Sequence, residues 1–162
     1  SAPFVKTFSK CLSSIWLQRG SKTRLIGQSH KGMNEKYFDT VFLDAAPSNG
    51  FPESFAILTA FNPMDRILSQ EENTKRNQHL LGILKLQGHY GGTIIGSSPD
   101  FKHQEPSLIA EAPKVKGLEL GLNFDQRAIF WISKDLLEII ECATGIAHCA
   151  GSFRKRITKN QP

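Results

Sequence analysis

The pattern of apolar and polar positions divides the chain into a patterned central region and two unpatterned ends. Between residues 37 and 140, aromatic, β-branched and leucine residues recur in short runs with the period of strands or helices. Residues 1–34 contain no acidic residue and no sustained apolar period, and residues 146–162 are again basic. We therefore predict a single domain over residues 35–145, with a basic extension before it and a basic tail after it that lie outside the fold.

Six segments of the central region have the composition of strands. Residues 37–43 and 127–132 are rich in aromatic and β-branched residues, and residues 55–61 form the continuous apolar run of a central strand. The other three predicted strands are residues 93–95, 107–110 and 136–140. The connection between residues 127–132 and 136–140 is short, which predicts that these two strands form a hairpin.

Two helices are predicted between these strands. Ser69 and Glu72 form a capping box, in which the serine hydroxyl accepts from the N3 amide and the glutamate reaches back, and Gly88 ends this helix. Residues 114–124 form a second, weaker helix. From residue 55 onward, the order of elements predicts an α+β fold: a ferredoxin-like split β-α-β sandwich with two helices, a mostly antiparallel sheet and an extra N-terminal strand.

The basic excess of the chain belongs to its ends. The formal net charge is +5, yet all 15 acidic residues lie between Glu35 and Glu141, together with only 10 Lys and Arg, so that this region carries a formal charge of −5. An acidic body repels polyanions, so we expect no nucleic-acid binding by the domain itself. One functional hypothesis, ranked below the two that are described later, is an interaction module that acts through the basic ends.

The three cysteines favour reduced thiols and a cytoplasmic protein, because small secreted domains usually carry an even number. Cys142, His148 and Cys149 supply three soft ligands, whereas a structural zinc site needs four, so we expect no metal site. We also expect no cofactor, because no dinucleotide or phosphate-binding fingerprint is present. No run of 18 apolar residues occurs, so no membrane association is expected.

One face of the first predicted helix changes from apolar to hydrogen-bonding towards its N-terminus. The face that carries Leu80 and Leu84 continues as amide and guanidinium side chains in the preceding turns. Unpartnered buried polar groups cost about 1–3 kcal/mol each, so these side chains need protein, water or ligand partners. Either they fasten loops and strand ends, or they form a cleft for a small polar or anionic ligand.

If these side chains form a ligand cleft, the chain is a ligand-binding or regulatory domain. The predicted ligand-binding residues are Thr59, Asn62, Asn73, Arg76, Asn77, Ser107 and Gln126. On this hypothesis, the substitution Arg76→Ala weakens ligand binding with little loss of stability. The open edges of the predicted sheet would also allow a homodimer.

Glu105 is the candidate catalytic residue of an alternative hypothesis. As a general acid or base, it would serve a small hydrolase or transferase with Ser107 or Asn62 assisting. We place Glu105, at the start of the third strand of the split β-α-β unit, at the sheet edge opposite to Asn62. Either Glu105 then has a separate role, or the predicted topology is wrong.

Four short motifs follow one another through the central region. They are T-A-F-N-P at residues 59–63, S-x-x-E-N-x-x-R-N at residues 69–77, E-P-S at residues 105–107, and D-Q at residues 125–126 before an apolar strand. In this order they resemble a bacterial domain-of-unknown-function family, DUF3293, over about residues 37–142. Asp125 departs from the glycine usual in that family, which puts a tight turn there in doubt. The resemblance implies the domain limits and the candidate site, and it implies no reaction.

Overall fold

Seven strands and two helices make up the part of the chain that the structure, a computed structural model, describes, namely residues 33–158. The strands are β1 (Val41–Pro47), β2 (Ser54–Leu58), β3 (Tyr90–Ser97), β4 (Gln104–Ala110), β5 (Ala128–Ser133), β6 (Leu136–Glu141) and β7 (Ala147–Ser152). The helices are α1 (Gln70–Leu86) and α2 (Lys114–Asn123). The predicted α+β class is confirmed, and the predicted extension before residue 33 lies outside the described residues.

The strands form one antiparallel sheet in the order β1-β3-β4-β2-β5-β6-β7. β2 lies between β4 and β5, so that Ala56 is opposite Ala110 on one side and Trp131 on the other. Because β2 and β4 are antiparallel, the end of β2 and the start of β4 lie at the same edge of the sheet. The sequence-based placement of Glu105 at the edge opposite to Asn62 is therefore wrong.

Both helices pack on one face of this sheet. Leu80 and Leu84 of α1 and Leu120 of α2 are buried against side chains from β2, β4 and β5. A Cβ at Gly121 would lie 2.6 Å from the sulfur of Cys142, so only glycine allows α2 to approach the end of β6 this closely. Burial raises the pKa of the Cys142 thiol to about 11, which keeps it protonated and unreactive.

The other face of the sheet is covered by the two ends of the described chain. The rings of Phe42 and Phe55 pack against Phe153, with centroid distances of 5.3 and 5.4 Å. Phe42 also forms a parallel bridge with Ile157, and its carbonyl accepts from the amide of Thr158 at 2.9 Å. β1 and β7 are the two edge strands, so the segment that follows β7 reaches across this face to the opposite edge strand.

The prediction that a tail outside the fold begins at residue 146 is wrong for residues 147–157. β7 pairs with β6, and Phe153 is 2% exposed. The carboxylate of Asp135 accepts from the hydroxyl of Ser152 at 2.6 Å and from the amide of Arg154 at 2.8 Å, and these bonds lower the pKa of Asp135. β7 consists mainly of small residues with little apolar area, which is why its composition resembles a loop.

The start of the first predicted strand also differs. Residues Glu35–Asp39 form a 3-10 turn that Asn34 caps by accepting from the amide of Lys36. Tyr37 packs against Phe130 on the second face of the sheet instead of pairing in it. The capping box at the start of α1 and the hairpin between β5 and β6 are as the sequence predicts.

Candidate functional site

The loop between β2 and α1, residues 59–69, is the centre of the predicted site. Its residues Asn62, Met64 and Asp65 have left-handed backbone conformations, with φ of 45°, 50° and 61°. Residues other than glycine rarely adopt this backbone conformation, and each instance costs about 1–3 kcal/mol. Three such residues in four positions therefore require strong support from the surrounding structure.

A reciprocal amide pair supplies part of that support. The side-chain oxygen of Asn73 accepts from the backbone amide of Asn62 at 2.8 Å, and the side-chain nitrogen of Asn73 donates to the side-chain oxygen of Asn62 at 2.9 Å. That oxygen of Asn62 also accepts from the amide of Leu68 at 3.2 Å. Asn73 is 3% exposed, so these bonds are shielded from competing water. The pair ties the beginning of the loop to its end.

Asn77 and Thr59 fasten the end of β2 to the start of β4. The side-chain oxygen of Asn77 accepts from the amide of Ala60 at 3.1 Å, and its nitrogen donates to the carbonyl of Pro106 at 3.3 Å. The hydroxyl of Thr59 donates to the same carbonyl at 3.0 Å. The Ser107 hydroxyl, which is buried, donates to the backbone carbonyl two residues earlier. These polar groups all bind backbone.

Arg76 and Gln126 join the loop to the turn between α2 and β5. Arg76 donates from Nε to the carbonyl of Ala60 at 2.9 Å and from Nη2 to that of Phe124 at 2.5 Å. The side-chain nitrogen of Gln126 donates to the carbonyl of Phe124 at 3.2 Å and to that of the residue before Asn62 at 3.0 Å. Asp125 has φ 55°, so the tight turn is formed, with aspartate in the place of glycine.

Glu105 belongs to the same cluster. Its Oε1 accepts from the side-chain nitrogen of Asn62 at 2.8 Å. Nearby, Arg127 forms an ion pair with Asp65 at 2.7 Å between Nε and Oδ2. Burial, and then the carboxylates of Asp65 and Glu105, raise the pKa of Tyr37, so the phenol remains a proton donor. Sequence reasoning missed Tyr37 and Asp65, because no local pattern links positions so far apart in the chain.

The structure thus brings all eight predicted residues together, but most of their polar atoms bind backbone. Within residues 33–158, no fully buried side-chain nitrogen or oxygen lacks a hydrogen-bond partner. Arg76 braces two carbonyls, so we now expect Arg76→Ala to destabilise the protein, contrary to the sequence-based hypothesis. The space that a ligand could occupy lies beside this hydrogen-bond network.

A cavity of about 250 Å³ adjoins the strained loop. Its walls are Met33, Met64, Leu122, Asp125, Gln126, Arg127, Glu141 and Ala143. Among the predicted site residues, Gln126 lines this cavity, and its Oε1 accepts no hydrogen bond from any described residue. Because no fully buried polar side-chain atom in that region is unpaired, this oxygen faces open space.

The charged groups around the cavity already have partners. Arg127 is paired with Asp65, and the carboxylate of Asp125 lies 3.7 Å from Nη2 of Arg76. The carboxylate of Glu141 accepts hydrogen bonds from neighbouring side chains, the first being Nε2 of the β7 histidine at 2.9 Å, and these bonds lower its pKa. Among the described residues, no group of three or more His, Cys, Asp or Glu side chains is placed to hold a metal ion.

The helices of the described region do not reach the length and apolar character that a membrane crossing requires. Residues 58–129 match the model of a family described as protein of unknown function (DUF3293). No curated protein and no solved structure matches the chain. The matched segment runs from the last residue of β2 into β5, and it contains all eight residues of the predicted site.

Proposed function

We propose that this chain, which belongs to the DUF3293 family over residues 58–129, is a ligand-binding or regulatory domain whose small ligand occupies the cavity beside the β2–α1 loop. The observation that carries this proposal is the strained loop itself. A buried polar network holds Asn62, Met64 and Asp65 in left-handed conformations where the loop forms a wall of the cavity. Backbone strain of this kind concentrates at sites that must keep a fixed geometry.

The walls of the cavity limit the chemistry of the ligand. Met33, Met64 and Leu122 offer apolar contacts, and Oε1 of Gln126 offers one open hydrogen-bond acceptor. Both nearby guanidinium groups are paired with carboxylates, which argues against an anion in this cavity. We therefore propose a polar, uncharged ligand with an apolar body and one N–H or O–H donor. A volume of about 250 Å³ suits a molecule smaller than most drugs.

We further propose that the inner part of the fold is a ferredoxin-like split β-α-β unit. The order β3-β4-β2-β5 with antiparallel neighbours supports this, as do α1 between β2 and β3 and α2 between β4 and β5. β1, β6 and β7 are then additions at the edges. In such a unit the cavity lies where the loop after the first strand meets the turn before the fourth strand.

The methyl signals of methionine provide a direct test of ligand binding. The chain contains two methionines, Met33 and Met64, and both line the cavity. In protein labelled with ¹³C at the methionine methyl groups, a fragment library of small alcohols and amides should yield compounds that shift both signals saturably. Met64→Leu assigns the two signals, because it removes the methyl signal of Met64 and keeps that of Met33. The Met64 side chain is 53% exposed, so the substitution should leave the fold intact.

A matched pair of substitutions on α2 separates binding in the cavity from binding elsewhere. Leu122→Trp should fill the cavity mouth and weaken such a compound by about tenfold or more, since Leu122 lines the cavity and is half exposed. Val115→Trp adds the same side chain at an exposed position of α2 outside the cavity, and it should have no effect. If no compound shifts both methyl signals, or if both variants bind equally well, the proposal is wrong.

The acid–base hypothesis is kept as a second candidate because the carboxylate of Glu105 lies 2.8 Å from the side-chain nitrogen of Asn62. The same experiment distinguishes it. A hydrolase or transferase would convert a compound that shifts the methionine signals, and the product would appear in the NMR spectrum. Glu105→Gln should stop conversion, because an amide cannot act as a general acid or base. It retains an oxygen that can accept from Asn62, so the methionine shifts should stay unchanged. Shifts without conversion in the wild-type protein would leave binding as the function.

A further inference from the structure

We infer that an open cleft at the start of α2 binds a small organic carboxylate, independently of the cavity described above. The cleft has a volume of about 430 Å³. Its walls are Pro52, Ser54, Glu111, Ala112, Pro113, Lys114 and Trp131. Two of its wall residues, Lys114 and Trp131, each carry an N–H group that donates to no described residue, and the amide of Val115 follows in the first turn of α2.

The first two donors are backbone amides of α2. The helix begins after Pro113, which has no side chain able to cap it. The amides of Lys116 and Gly117 donate to the carbonyl of Pro113, whereas those of Lys114 and Val115 donate to no described residue. Free amides in the first turn, together with the positive end of the helix dipole, favour an anionic oxygen.

The third donor is the indole N–H of Trp131. This side chain is 7% exposed, and its nitrogen makes no hydrogen bond with any described residue. Since no fully buried side-chain nitrogen in residues 33–158 is unpaired, the indole N–H is accessible from outside the protein, and Trp131 is a wall of this cleft. Buried indole N–H groups usually have an acceptor. An acceptor supplied by a ligand would meet this requirement.

Lys114 places an ammonium group beside these donors, but Glu138 pairs with it, so the three N–H groups and not a net positive charge would hold the carboxylate. The Nζ of Lys114 lies 5.5 Å from the centre of the Trp131 ring and 2.9 Å from Oε2 of Glu138, so the ammonium group is held in place. Glu111 also lines the cleft, and its carboxylate opposes an anion. Affinity should therefore be modest. Because Pro52 and Pro113 give the cleft apolar walls, a carboxylate with a short alkyl chain fits better than a bare inorganic anion.

Titration of ¹⁵N-labelled protein with sodium butyrate tests this site. We expect saturable shifts of the indole N–H signal of Trp131 and of the amide signals of Lys114 and Val115. Sodium chloride at equal concentration should produce no such saturation, and acetate should bind more weakly than butyrate because it buries less apolar surface. The methionine methyl signals of the other cavity should not respond, so failure of one proposal is separable from failure of the other.

Three variants decide the role of the named groups. Trp131→Phe removes the indole donor and should weaken butyrate by about tenfold, with thermal unfolding used to verify the fold. Glu111→Gln removes the opposing charge at an exposed position and should tighten binding by about threefold. Glu119→Gln changes the net charge equally on α2 outside the cleft and should have no effect. Absence of saturation, or equal effects of the two glutamine variants, would overturn the inference.

Discussion

Replacing Phe153 with alanine should lower the free energy of unfolding by about 3–5 kcal/mol. The ring is 2% exposed and packs against Phe42, Phe51 and Phe55 with centroid distances of 5.3, 5.2 and 5.4 Å. Its removal would leave a cavity between β1, β2 and the segment after β7, and the phenylalanines from β1 and β2 cannot close it without moving their strands. Urea denaturation monitored by circular dichroism measures this loss.

Ile146→Ala is the matched control for Phe153→Ala. Ile146 immediately precedes β7 but is 53% exposed, so its truncation should change the free energy of unfolding by less than about 0.5 kcal/mol. Similar small losses in both variants would mean that residues 147–157 do not pack on the sheet. In that case the original prediction of a tail after residue 145 would be restored.

The substitution Asn73→Ala should cost about 2–3 kcal/mol, a large effect for a polar residue. It removes the acceptor of the Asn62 amide and the donor to the Asn62 side chain, and it leaves both groups without these partners in a shielded region. The left-handed backbone at Asn62 and Met64 would lose its support. We therefore expect the methyl signal of Met64 to move or broaden as the free energy of unfolding falls.

Asn123→Ala provides the comparison, because Asn123 is an exposed asparagine at the end of α2. This variant should remain within about 0.5 kcal/mol of the wild type and keep the Met64 signal unchanged. A loss of stability in Asn73→Ala with an unchanged Met64 signal would show that the loop keeps its shape without the amide pair. The strained loop could then no longer support the proposed ligand site.

The asparagines and the arginine of α1 show how far a sequence pattern can be interpreted. Their position on the apolar face predicts that they are buried and need partners, and both expectations hold for Asn73. The pattern cannot say whether the partner is a ligand or the backbone, because both satisfy the same donors and acceptors. In the folded chain, Arg76 binds the carbonyls of Ala60 and Phe124, and the second of these lies 48 positions away.

Glu105 illustrates a different limit. The motif E-P-S marks the residue, and the apolar run after it predicts a strand, but the edge at which that strand begins depends on which neighbour it pairs with. Pairing of β4 with β2 in antiparallel register brings Glu105 to Asn62, 43 positions away. Strand pairing depends on contacts across the whole sheet, so local composition does not specify it.

Features that depend on neighbours within a few residues could be deduced from the chain itself: the capping box at Ser69, the end of α1 before Gly88 and the hairpin between β5 and β6. Their energies arise from hydrogen bonds and backbone preferences of adjacent residues. The folding of β7 onto the sheet, the cavity beside Met64 and the cleft at Trp131 are decided only by the tertiary structure. Each is formed by groups from distant segments, and whether such groups meet is decided by packing and strand order.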